Sequence, residues 1–196
     1  MHRLPTVDAY LRSLPGGIDA YPECCTKASV LREALLRPIP PDVDLPAELR
    51  ALVARPPPVT AWIPEVHHNA LMLALYDVHF GGLDAFLAWV LEGNRRLFAR
   101  PLYRALFFVL SPERLFVGAE LRWGTFRKGS TLRVEERGDK RAVLRVVAPA
   151  RLHMAQSIRG LGMAFQAAAE RAGAEDVHVD VPFSSETDAT YRIDWR

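Results

Sequence analysis

Residues 62–80 read WIPEVHHNALMLALYDVHF and place three histidines, His67, His68 and His79, in one amphipathic stretch. Imidazole is the side chain best suited to ligate haem iron or a metal, or to move a proton near neutral pH. On a single helix His68, Met72, Leu75 and His79 form one stripe, and His67, Leu71, Ala74 and Val78 the next. His68 and His79 then stand about 16 Å apart at 1.5 Å per residue, which excludes one metal ion shared between them. Glu65 is within reach of His68, one turn on. His79, beside Gly81-Gly82, suits a helix C-terminus, where a cation complements the dipole. The chemistry left to His68 or His79 is a single axial bond to haem iron, and His153 in LHMAQSIRGLGMAF has the same capacity. In that second stretch His153, Ser157 and Gly160 share a helix face. Gly160 and Gly162 each cost a helix about 1 kcal/mol relative to Ala, so they imply close approach of a sheet or a ligand.

Other reactive residues fit plainer roles. Cys24 and Cys25 are neighbours, which rarely meet disulfide geometry with each other, so the chain reads as a protein of a reducing, cytoplasmic compartment. With no third thiol or histidine near them, they are expected to be two small residues in a helix. Arg95, Arg96, Arg100 and Arg104 are the right type to grip phosphate or carboxylate, but Glu92 and the interleaved apolar residues fit a solvated helix face better. No glycine-rich phosphate loop, nucleophile elbow or His-Glu-x-x-His pattern occurs, so no catalytic residue is assigned.

The elements that must position these groups follow from periodicity. Thr6 caps a helix carrying Val7, Tyr10, Leu11 and Leu14; Pro22 opens a second through Leu35; Pro46 opens a third, stopped by Pro56-Pro57-Pro58. The proline triplet divides a helical arm, residues 1–58, from a main body, residues 59–196. Residues 61–127 carry four helical patterns, with residues 101–110 nearly apolar throughout. After Gly129 the period falls to two: STLRVEERG and RAVLRVVAP flank the turn Gly138-Asp139-Lys140, a long helix runs to Gly173, and DVHVDVPF and ATYRIDW follow. The C-terminal order is β-β-α-β-β. The fold class is therefore α+β, with a helical layer on an antiparallel sheet of four strands.

Composition narrows the partners. With 25 basic and 23 acidic residues the formal charge is +2, which argues against a dedicated nucleic-acid binder. Asp8 and Arg12 interrupt any signal core, and no run reaches about 18 uncharged apolar residues, so neither export nor a membrane span is expected.

The phrases LSPERLFVGAELRWGTFRKGSTLRVEE and AERAGAEDVHVDVPFSSETDATYRIDW resemble a paralogous family of uncharacterised proteins of similar length that is expanded in myxobacteria. The likeness runs over residues 60–196 and is carried by Gly124 to Arg127, Ala172-Gly173-Ala174 and Tyr191 to Trp195, which mark fold rather than chemistry. More distantly, the element order is similar to the superfamily of haem-nitric-oxide-binding domains, 4-vinyl-reductase-like sensor domains and transport-particle subunits, which hold a haem, an aromatic effector or an acyl chain between helices and sheet. The Tyr-x-Ser-x-Arg haem motif and the cysteine cluster of those groups do not occur here.

Three functions are then open. A small-molecule sensing domain predicts an apolar pocket lined by Trp89, Phe107, Trp123, His153, Met154 and Phe165, with haem a further occupant through His68, His79 or His153. A homodimeric interaction module predicts a filled core and an exposed apolar patch. An enzyme requires scattered His, Asp and Arg groups to converge in one cleft.

Overall fold

The computed structural model describes residues 3–103 and 111–196. Helices α1 (Pro5–Ser13), α2 (Ala28–Ala34), α3 (Ala47–Ala54), α4 (Glu65–His79) and α5 (Leu83–Ala99) precede two short ones, α6 (Pro112–Val117) and α7 (Ala119–Phe126), which part at Gly118. A long helix, α8 (Ala155–Arg171), lies between two hairpins. These are β4 (Thr131–Gly138) with β5 (Arg141–Val147), and β6 (His178–Ser184) with β7 (Asp188–Asp194). They join through β5 and β7 into an antiparallel sheet of order β4-β5-β7-β6. The α+β class and the C-terminal β-β-α-β-β order expected from the change of period are both present.

Period-two alternation dictates which face of this sheet is covered. Leu132, Leu144, Val146, Ala189, Tyr191 and Ile193 are buried, while Arg133, Arg145 and Arg192 point outward. The covered face meets α8, whose Gly162 approaches Val179 and Tyr191 so closely that a Cβ there would lie 3.4 Å from Val179 Cγ1. On the side toward α5, Gly160 faces Val90. The two glycines let one helix pack tightly between a sheet and another helix.

A second sheet escaped the sequence reading. Strands β1 (Cys25–Lys27), β2 (Trp62–Pro64) and β3 (Arg127–Lys128) form an antiparallel sheet of order β2-β1-β3, pairing Thr26 with both Ile63 and Arg127. Cys25 therefore begins a strand and Cys24 precedes it, rather than both lying in a helix, and both are free thiols. α2 starts at Ala28 instead of Pro22. Thr6 lies inside the first turn of α1 and bonds Asp77 of α4, which brings a carboxylate to the helix N-terminus.

Two hydrophobic clusters result. One joins α1, α2, α3 and α4 around Tyr10, Leu31, Leu49 and Leu71, with Leu152 added from the segment before α8. The other gathers α5, α6, α7, α8 and the four-stranded sheet around Leu97, Phe116, Leu144 and Tyr191. The three-stranded sheet sits where they meet. Gly129, at φ +75°, turns the chain from β3 toward β4, and a Cβ there would lie 2.7 Å from Cys24 Cα. Gly129→Ala combines a left-handed backbone with a backbone clash and should cost at least about 2 kcal/mol. Guanidinium unfolding should show a lowered midpoint at unchanged m, whereas Gly81→Ala, with nothing within 4 Å, should leave it nearly in place.

Candidate functional site

Where α5, α6, α7 and α8 close over the four-stranded sheet, the packing is incomplete. A cavity of about 120 Å³ remains, lined by apolar side chains including Leu97, Phe116, Trp123, Leu144, Phe165 and Ala168. Its polar lining among the described residues is Thr26, Asn94, Arg122 and Arg127. Arg122 is turned to the Leu115 carbonyl at 2.8 Å. The Trp123 indole N–H donates to the Ser130 carbonyl at 3.1 Å, so the ring presents its apolar body to the space. Phe165 holds its place edge-on to Tyr191, with centroids 5.0 Å apart. Small side chains at Ala119, Ala164 and Ala168 leave the volume that larger ones would fill.

A second, smaller cavity of about 60 Å³ abuts the first. Val30, Asn94, Arg127, Leu161 and Ala164 line both. Its character is different, because His68 of α4 and His153, two residues before α8, open into it with Asn69, Gln156 and Ser157. His68 is 4% exposed. Its Nδ1, and Nε2 of His153, are buried without a hydrogen-bond partner among the described residues. Burial, with the Arg127 cation nearby, pulls both imidazoles from 6.5 down to about 3, so both are neutral at physiological pH.

The local network fixes the His153 tautomer. Tyr10 Oη donates to the Leu152 carbonyl at 2.8 Å, and Asn69 Nδ2 donates to the same oxygen at 2.9 Å. A carbonyl on that side requires the amide nitrogen of Asn69 to face it. The same nitrogen lies 3.3 Å from His153 Nδ1, which must accept, so the ring proton is on Nε2. The orphaned atom of His153 is thus a donor.

Arg127 bounds both cavities. Its guanidinium is ion-paired with Glu65, the side chains being 12% and 3% exposed, and it lies 5.6 Å from the Trp123 ring centre. Glu65 therefore pairs with Arg127 from β3 rather than with His68 on its own helix. The sequence marked Arg127 as part of a fold-determining phrase, and gave no sign that β3 would deliver it to α4.

Of the pocket residues read from the sequence, Trp123 and Phe165 line the main cavity. Trp89 does not: it packs against Phe80 and Phe86 at 5.3 and 5.9 Å between centroids. Met154 packs on the N-terminal cluster as the N-cap of α8, and His153 lines the smaller cavity and a further recess beside β5 and β7, ahead of the helix it is expected to share with Ser157. Phe107 and Arg104 lie outside the described residues. Arg95 is bridged to Glu92 and Glu170, and Arg96 and Arg100 converge on the buried Glu33, so those arginines are engaged.

Haem does not fit these residues. The Nε2 of His79 is bound to the Pro38 carbonyl at 2.9 Å. His68 and His153 open on the smaller space, and the main cavity has no histidine among its described lining. A cavity of about 150 Å³ holds one benzene, and a porphyrin is several times larger. No group of three or more His, Cys, Asp or Glu able to hold a metal ion occurs among the described residues.

Residues 97–196, just over half of the chain, match the family described as "Protein of unknown function (DUF2378)", and the chain belongs to that family. A comparison with curated proteins finds no match. Among solved structures the chain is similar to one described as "Cs H-NOX mutant with unnatural amino acid 4-cyano-L-phenylalanine at site 5". The identity is 10% and the TM-score 0.49, with 99% of this chain and 96% of that one covered. A likeness of that degree does not bear on what the cavities hold.

The neutral histidines have a consequence for acid stability. As pH falls below 6.5 the unfolded chain protonates both imidazoles, and the folded chain resists until about 3. Arg127 on β3 beside them is paired with Glu65 on α4, and Asp188 and Glu186, which share a recess with His153, are paired with Arg145 and Arg151, so these groups offer no free anion to stabilise the imidazolium. Stability should fall from pH 6.5 to 5 by up to about 1.4 kcal/mol per pH unit for each histidine. Unfolding free energies measured across that range should flatten in the double variant His68→Leu, His153→Phe.

Proposed function

We propose that this chain is a non-catalytic binding or sensing domain for a small apolar molecule, held in the cavity between α5, α6, α7, α8 and the four-stranded sheet. The observation that carries the reading is the cavity itself: about 120 Å³ of apolar space walled by members of a hydrophobic cluster. Such a void forfeits dispersion contacts and costs stability unless something fills it. Its size suits a molecule near one aromatic ring, or a short branched alkyl group, since a cavity of about 150 Å³ accepts benzene.

A homodimeric interaction module is the second reading. Val117 at the end of α6 and Leu121 on α7 are 65% and 89% exposed, an apolar pair on the helices that roof the cavity. That reading predicts a filled core, and the open space in this core favours the first. A cytoplasmic setting accords with two free thiols, and no helix among the described residues is long and apolar enough to cross a membrane.

Titration of the intact chain with toluene, followed by the Trp123 indole N–H resonance, tests the binding reading. Saturable perturbation of that signal is expected, and no perturbation up to the solubility of toluene would overturn it. Ala168→Leu fills the main cavity from α8. It should weaken toluene more than about tenfold without lowering the melting temperature. Sedimentation of the apo chain as a stable dimer, with no toluene response, would transfer the function to the Val117 and Leu121 surface.

A further inference from the structure

The smaller cavity sets what kind of molecule the larger one takes. An apolar cavity alone would accept any hydrocarbon of the right size. This one shares a wall with a compartment lined by His153 and His68, whose Nε2 and Nδ1 are buried with no partner among the described residues. A buried polar atom left unpaired costs about 1–3 kcal/mol, and two in one compartment are unusual unless something meets them. Asn69, itself held by the Leu152 carbonyl that Tyr10 also bonds, occupies the Nδ1 edge of the His153 ring, which leaves Nε2 as the unpaired edge.

Charge selects the head group further. Arg127 is the one charged residue among the described residues lining the smaller cavity, and Glu65 neutralises it. An ionised carboxylate or ammonium would enter as an uncompensated buried charge, whereas a hydroxyl or carbonyl would enter at no such penalty. A hydroxyl accepts from His153 Nε2–H while donating to His68 Nδ1, and a carbonyl accepts from whichever ring nitrogens carry protons.

We infer that the occupant of the main cavity carries a neutral oxygen head group, a hydroxyl or a carbonyl, which crosses the shared wall of Arg127, Leu161 and Ala164 and takes a hydrogen bond from His153 Nε2. The class is a compact aryl or alkyl alcohol, aldehyde or ketone. This rests on the main cavity being a binding site, and the test separates the two statements.

Toluene, benzyl alcohol and benzoate are titrated into the intact wild-type chain and into His153→Phe, which keeps the ring's volume and removes its nitrogens. In a dry cavity with no partner for it the hydroxyl would weaken binding. Here benzyl alcohol should bind about tenfold more tightly than toluene, and benzoate at least tenfold more weakly than benzyl alcohol. In His153→Phe the advantage of benzyl alcohol should vanish while toluene binding persists, which also shows that the variant is folded. Toluene binding without an advantage for benzyl alcohol, an advantage that survives in His153→Phe, or benzoate binding as tightly as benzyl alcohol would each overturn the inference and leave the cavity reading standing. Failure of all three ligands on the wild type would remove both.

Discussion

The ion pair between Glu65 and Arg127 is the contact on which the arrangement of both cavities depends. Its members come from the first turn of α4 and from β3, sixty-two residues apart, and both side chains are nearly out of water. Glu65 is anchored at its backbone too, where its N–H donates to the Cys24 carbonyl at 2.8 Å. Removing one partner of such a pair leaves an uncompensated buried charge, a loss of about 3–5 kcal/mol, so the pair fixes geometry even where its net stabilisation is small. What it fixes is the seam between the two hydrophobic clusters. The three-stranded sheet exists at that seam, with Thr26 of β1 paired to Arg127 on one side and to Ile63 on the other.

From that seam the two spaces acquire opposite chemistries. Toward the four-stranded sheet the lining is aromatic and aliphatic, and alanines on α8 leave room. Toward α4 the lining carries two neutral imidazoles, kept uncharged by burial and by the cation beside them. Arg127 contributes to both walls without offering a free charge to either. The chain thereby keeps an apolar chamber and a polar, electrically neutral recess side by side. A close-packed core of the same elements would be more stable and would have neither.

Much of the fold is written in local pattern. The fall from a period near 3.6 to a period of two after Gly129 marks both hairpins, and the spacing of Leu83, Phe86, Val90 and Leu97 marks α5. The strands of the small sheet are two or three residues long, too short for alternation to show, and Pro22, a residue type that opens helices, suggests a helix over Cys25. The candidate site was less legible still. That His68 and His79 sit too far apart to cooperate followed from helix geometry alone. The pairing of His68 with His153 joins positions eighty-five residues apart and depends on how α8 settles between α5 and the sheet. Trp123 and Phe165 line the main cavity, as large aromatics on helices facing a sheet are suited to do. Trp89 fails the same expectation, since Phe80 and Phe86 turn it into a separate aromatic cluster.

The most direct test of the central claim is a crystal of the chain pressurised with xenon, which enters apolar voids without needing a head group. Electron density for xenon between Trp123, Phe165 and Leu144 is the result this account requires. A crystal with no xenon there, and with Trp123 and Phe165 collapsed into the space against Leu144, would contradict it.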